Sequence, residues 1–138
     1  MGNSLQPLKV WLVDDDPFDV KLMLRAARAA KLDWSVDTFS DGEKVCQAAK
    51  ERPELPHLIL LDLNLPDMTG IDILARVKAN PHLKRSPVIV LTTTDDQREI
   101  QRCYDLGANV YIVKPVNYES FANAIRQLGL FLSVIQVP

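Results

Sequence analysis

Five short apolar, β-branched runs alternate with amphipathic stretches along this chain, and four of the five stop at a polar residue with chemical use. Val10 to Val13 runs into Asp14-Asp15-Asp16, Leu58 to Leu61 into Asp62, Val88 to Leu91 into Thr92-Thr93-Thr94, and Val110 to Val113 into Lys114-Pro115. Strand followed by helix, five times over, specifies an α/β architecture: a doubly wound five-stranded parallel sheet with helices on both faces. The near-continuous apolar character of the runs fits strands buried on both sides. In such open sheets, ligands bind outside the carboxyl ends of the strands, where the strand order reverses. Acids, a hydroxyl and a lysine therefore gather at one rim.

Local signals set the element boundaries. Strands are expected over Lys9–Asp14, Trp34–Phe39, His57–Leu61, Pro87–Leu91 and Asn109–Val113. Asp16 suits an N-cap and Pro17 the first helical position, where no N–H is needed. Ser40 with Glu43 reads as a capping box for a helix reaching about Glu51 and stopping before Pro53. A third helix covers about Ile71 to Ala79, Thr94 with Gln97 opens a fourth, and Gly107 ends it as a left-handed cap. Asn117 opens a last helix whose Phe121, Ile125 and Leu128 share a face. Gly70, closing the turn-rich stretch after Asp62, is expected to supply a backbone angle other residues avoid. The 138 residues suit a single domain, 1–138, with a core over about 8–127 and an apolar extension at 128–138. That extension either packs back on the domain or offers a partner surface.

Charge and composition exclude several classes. A formal charge of −2 provides no basic field for nucleic acid. Cys46 and Cys103 lack metal-ligand spacing and read as reduced thiols near the core. No apolar run approaches the roughly 18 residues of a membrane span, and no secretory signal is present, so a cytoplasmic location is expected.

The rim residues define a chemistry. Two carboxylates 4 Å apart repel by about 1 kcal/mol in water and about 4 at an effective dielectric of 20. A divalent cation relieves that repulsion, and the oxygen-only set of Asp14, Asp15 and Asp62 suits Mg²⁺ far better than zinc or copper. Lys114 adds a mobile point charge for an anion drawn to the same place. No Gly-rich phosphate loop is present to hold a nucleotide, so the phosphoryl carrier is a side chain. An aspartate can serve as nucleophile and form an acyl phosphate, and Asp62 is the best placed.

On Val13-Asp14-Asp15, Asp62 with Pro66 and Gly70, Thr92 and Lys114-Pro115, the chain resembles the receiver domains of two-component response regulators. The resemblance covers nearly the whole chain. It implies a flavodoxin-like strand order 2-1-3-4-5, phosphoryl transfer from a histidine kinase to Asp62, and Mg²⁺ held by Asp15, Asp62 and the Asn64 carbonyl, with Asp14 helping through water. It also implies that Thr92 bonds the phosphoryl group, that Tyr111 turns inward, and that the face of helix four, strand five and helix five changes as the output. Leu63-Asn64-Leu65-Pro66, Ala79-Asn80-Pro81-His82-Leu83-Lys84 and the apolar tail resemble the subgroup partnered with bacterial and cyanobacterial phytochromes. A homodimer through the output face and the tail is a further expectation, as is a cis bond before Pro115.

Plainer readings stand beside these. Asp16 is a capping residue rather than a ligand, Lys114 alone could be a snorkelling surface lysine, Thr92 a strand-end hydroxyl and Tyr111 a half-buried strand tyrosine. Asp67, Asp72, Asp95 and Asp96 read as loop or first-turn acids favoured by a helix dipole, and His57 and His82 as structural. Two other functions compete with the switch: a phosphorylation-independent scaffold, and a Mg²⁺-dependent phosphohydrolase working through an aspartyl phosphate. The hydrolase needs an acid two residues after the nucleophile, where this chain has Asn64.

Overall fold

A computed structural model of the protein describes residues 8–29, 34–52, 54–65, 67, 69–93, 95–114, 119 and 123. Strand and helix alternate as β1 (Leu8–Val13), α1 (Pro17–Ala29), β2 (Trp34–Phe39), α2 (Gly42–Glu51), β3 (Leu58–Asp62), α3 (Gly70–Ala79), β4 (Val88–Thr92), α4 (Gln97–Asp105) and β5 (Val110–Val113). All pairings are parallel and the order is β2-β1-β3-β4-β5, as the sequence led one to expect. The last helix expected after Asn117, the bond before Pro115 and the apolar tail lie outside the described residues.

Side-chain parity divides the core. Leu8, Val10 and Leu12 of β1, Leu58 and Leu60 of β3, Ile89 and Leu91 of β4 and Ile112 of β5 pack on one face with Met23 and Ala27 of α1. Trp11, Val13, Ile59, Leu61, Val88 and Val90 face the other way, against Val45, Ile73, Leu74, Val77 and Cys103 from α2, α3 and α4. Every residue of β3 and β4 is buried, whereas the outer strands β2 and β5 are only partly covered. Each Leu or Ile so enclosed contributes about 1.5–3 kcal/mol. This insulation on both faces leaves the strand ends as the places where polar groups can collect.

The caps refine the expected boundaries. Asp16 does cap α1, its Oδ1 accepting from Phe18 N–H at 2.9 Å. For α2 the cap is Asp41, not Ser40: Asp41 Oδ1 accepts from Lys44 N–H, and the extended backbone of Asp41 aims it there. For α4 the cap is Asp96 rather than Thr94, with Oδ1 accepting from Arg98 N–H at 2.9 Å; Thr94 itself lies outside the described residues. A carboxylate that reaches the same N–H groups as a hydroxyl also complements the helix dipole. Gly107 has φ of 108° and closes α4 as expected, with Gly107 N–H donating to Tyr104 O and Ala108 N–H to Cys103 O.

Gly70 is required for a different reason from the expected one. Its φ is not positive, but a Cβ there would stand 2.3 Å from Leu63 Cα and 2.8 Å from the Asp62 carbonyl oxygen. The start of α3 presses on the backbone that follows Asp62, and only a residue without a side chain permits it.

Candidate functional site

Strand ends bring the site together. Asp14 follows β1, Asp62 and Thr92 are the last residues of β3 and β4, and Lys114 follows β5. Asp14, Asp62 and Lys114 continue the parity of Leu12, Leu60 and Ile112, so they stand on the α1 side of the sheet. Ligand oxygens of Asp14, Asp15 and Asp62 all lie within 4.8 Å of one another. The Lys114 Nζ donates to Asp14 Oδ2 and Asp62 Oδ2, each at 3.2 Å. Asp14 and Asp62 are buried, and the Lys114 side chain is only 11% exposed, which excludes the plain surface-lysine reading.

A third partner was not read from the sequence. Asp19 Oδ2, in the first turn of α1, accepts from Lys114 Nζ at 2.6 Å, the shortest of the three contacts. The signal was available: α1 starts three residues after Asp14, so its first turn must overhang the rim on the face that parity assigns to Asp14, Asp62 and Lys114.

Electrostatics make this an acid-rich site. Among the described residues, four carboxylates, from Asp14, Asp15, Asp19 and Asp62, share the site with one ammonium, an excess of three negative charges. Burial pushes the Asp14 carboxyl up to about 6, and the neighbouring Asp62 charge adds to it, against the opposing pull of the Asp16 N–H and the Lys114 charge. Burial by itself would depress the Lys114 ammonium, yet the bond to Asp19 and the charges of Asp62 and Asp14 outweigh it and hold the group firmly protonated. Lys114 is thus a permanent cation here.

The loop after Asp62 is anchored by several hydrogen bonds. Asn64 N–H donates to Asp62 Oδ1 at 3.0 Å, and the Asn64 amide donates to Thr93 Oγ1 at 3.3 Å. Gly70 N–H donates to Leu63 O at 2.9 Å. Asp67, read from the sequence as a loop acid, accepts from Gly42 and Glu43 N–H at 2.9 and 3.0 Å, serving the start of α2 from 25 residues away. Asn64 lies exposed beside Asp15 and Asp62 in an open cleft of about 430 Å³ that Asp16, Asp19, Thr93 and Lys114 complete. An apolar groove of about 180 Å³ between α2 and α3, lined by Val45, Cys46, Ile73 and Val77 among others, holds none of these acids.

Thr92 and Tyr111 sit on the opposite face from Lys114. Thr92 is buried, its carbonyl accepts from Lys114 N–H at 2.6 Å, and its hydroxyl is hydrogen-bonded to that of Tyr111. Tyr111 is half-buried against the core, and burial is the main cause that raises its phenol above the usual range. His57 and His82 stay outside: His57 Nδ1 accepts from Lys9 N–H at 3.0 Å, and His82 lies in the loop before β4.

The donor set fits Mg²⁺: three carboxylates with hard oxygens, close together, open to a cleft, with no His or Cys in the cluster. Among the described residues, no helix is long and apolar enough to cross a membrane.

Comparison with known proteins agrees with the geometry. A response regulator receiver domain from Rhodospirillum rubrum is 56% identical, with a TM-score of 0.76 over 95% of this chain and 97% of that one. The response regulator Rcp1 of Synechocystis sp. is 33% identical across 100% of this chain and 99% of its own length. Rcp1 has also been solved in a Mn²⁺-bound form, with a TM-score of 0.77 and 32% identity over 91% of this chain and 94% of that one. The phosphorylated cyanobacterial phytochrome response regulator RcpA is 34% identical, with a TM-score of 0.78 over 91% and 94% of the two chains. The family model for the response regulator receiver domain matches residues 10–126, and the chain belongs to that family.

Proposed function

We propose that the chain is a single receiver domain over 1–138, acting as a stand-alone phospho-acceptor switch rather than a turnover enzyme. Asp62 would take a phosphoryl group from a histidine kinase, itself a phytochrome in view of the similarity to RcpA. One observation carries the reading: a single ammonium, Lys114 Nζ, lies 3.2 Å from both Asp62 and Asp14 beside an acid trio at the carboxyl rim.

In this reading an Asp62 carboxylate oxygen attacks the phosphorus of phosphohistidine. The O–P bond forms as the N–P bond breaks, and the imidazole leaves with the electron pair and takes up a proton. Lys114 meets the charge that builds on the transferring oxygens, an electrostatic stabilisation held in place before the reaction starts. Asp14, Asp15, Asp62 and the Asn64 carbonyl would hold Mg²⁺, which supplies charge neutralisation at the phosphoryl oxygens. Thr92 would then donate its hydroxyl to the phosphoryl group. That shift draws on Tyr111, to which Thr92 is already bonded, and on the outer surface of α4 and β5, where Tyr104 and Val113 are exposed. Binding of a partner or of a second copy at this surface, extended by the tail, would be the output. A cytoplasmic location and no contact with nucleic acid complete the proposal.

A phosphohydrolase has no support at position 64, where an amide stands and its backbone N–H is turned to Asp62. A scaffold without phosphate chemistry leaves the buried acid and lysine cluster unexplained, since burying such charges costs desolvation that well-packed apolar residues would not. Incubation with acetyl phosphate and Mg²⁺, followed by intact-mass measurement, decides. The wild type is expected to gain one phosphoryl group and Asp62→Asn none; an unmodified wild type would favour the scaffold, and sustained turnover of unrelated phosphate esters the hydrolase.

A further inference from the structure

We propose that Asp19 is a positioning residue for Lys114, holding the ammonium where one of its N–H donors can switch acceptor from Asp62 to a phosphoryl oxygen. The inference rests on the phospho-acceptor reading above and extends it to a residue outside the acid trio.

An ammonium has three donors, and in this site all three are engaged, by Asp14, Asp19 and Asp62. The partners are not equivalent. Asp14 and Asp62 belong to the trio that suits a divalent cation, so their oxygens are contested once a cation arrives. Asp19 stands apart from that trio, on the first turn of α1, and its 2.6 Å contact is the shortest. When Asp62 becomes an acyl phosphate, the bond from Lys114 to Asp62 is the one that turns over to a phosphoryl oxygen. Asp19, outside the trio, keeps its own donor whatever the cation takes from Asp14. A long, flexible lysine is thereby fixed before the reaction, and its freedom need not be lost during it. Without Asp19, the acids touching the ammonium among the described residues are the contested ones, and it competes with the cation for their oxygens.

A plain helix-dipole role does not account for this residue. The N–H groups at the start of α1 are already served by Asp16, whose Oδ1 accepts from Phe18 N–H and whose carbonyl accepts from Val20 N–H. The Asp19 carboxylate turns to the ammonium instead, in a partly buried setting with its side chain 25% exposed.

The test is a double-mutant cycle on the full chain, read by the rate of Asp62 phosphorylation from acetyl phosphate in saturating Mg²⁺. Asp19→Asn is expected to slow the reaction about tenfold in the wild-type background and to have no further effect once Lys114 is Met, the non-additivity of residues acting as a unit. Asp19→Glu should restore part of the rate. Calorimetric titration with Mg²⁺ alone should show weaker binding to Asp19→Asn, since the ammonium then leans on Asp14 and Asp62. A wild type that phosphorylates normally while Asp19→Asn matches it within twofold overturns the positioning role and leaves the phospho-acceptor reading intact. Equal slowing by Asp19→Asn in both backgrounds also overturns it, because the residue would then act independently of Lys114. A wild type that forms no adduct sinks both readings.

Discussion

The two rims of one sheet each hold a half-buried lysine, and the contrast between them separates reactivity from support. At the amino-end rim, Lys78 Nζ donates to the carbonyls of Lys84 and Ser86 at 3.3 and 3.0 Å, Ser86 Oγ donates to Pro56 O at 2.7 Å, and Asn109 Oδ1 accepts from Val88 N–H at 2.9 Å. These partners are neutral. Burial therefore pulls the Lys78 ammonium below its usual range. At the carboxyl-end rim, Lys114 meets three carboxylates that overcome burial and hold it protonated. Similar burial with different partners gives one lysine that ties loops together and another that stays charged beside an excess of acid.

Replacing each lysine by Met tests that contrast most severely. Lys114→Met is expected to slow Asp62 phosphorylation by about 10²–10³-fold in saturating Mg²⁺, as loss of one charged transition-state donor does. Lys78→Met should leave the rate within about twofold, yet cost about 1 kcal/mol in urea unfolding through its orphaned carbonyls. Equal rate losses in the two variants would break the comparison.

The glycines of the two rims give a smaller effect. Gly70→Ala places a methyl 2.3 Å from Leu63 Cα and should cost about 1–3 kcal/mol while also slowing phosphorylation, because the displaced backbone carries Asp62. Gly107→Ala meets a φ of 108° and the Lys78 stem at 3.2 Å; about 1–2 kcal/mol of stability should go, with the rate unchanged.

Proton titration sharpens the comparison further. Asp14 sits at about 6 in the metal-free protein against an ordinary 3.8, so the native state binds the extra proton between those values. Its contribution to stability is then greatest at low pH and falls as pH rises from about 4 to about 6. Asp14→Asn should remove that part of the slope in pH-dependent unfolding, and Mg²⁺ binding should weaken as pH drops through about 6. The smallest expected signal is a change in Trp11 fluorescence on adding Mg²⁺. The buried indole packs on Phe39 at 5.1 Å, and Phe39 O accepts from Asp14 N–H.

The strand order came from the family resemblance; the parallel strands, the site acids and Lys114 were legible because buried parallel strands are almost pure apolar runs, so a charge at their ends stands out. Caps were less so. Ser40 and Asp41 are adjacent and similarly favoured as N-caps, and the choice depends on which one has extended backbone facing Lys44 N–H. Asp19 and Asp67 act across the fold, on Lys114 and on the start of α2; nothing local marks the partner of Asp67, whereas that of Asp19 emerges only when strand parity is combined with the place where α1 begins. Gly70 was identified as necessary but for a turn angle, because close approach of a distant backbone leaves no trace in the neighbouring residues.

Lys114 joins Asp14 across 100 positions of chain, and this has a consequence for biosynthesis. The ribosome releases the acids of β1 and β3 well before the strand that delivers their counter-charge. A nascent chain lacking β5 carries these acids without the lysine that bonds them in the finished protein, so the site is completed only when the last strand pairs. The lysine contact thereby becomes a mark of completed assembly: only a chain threaded through all five strands can present it.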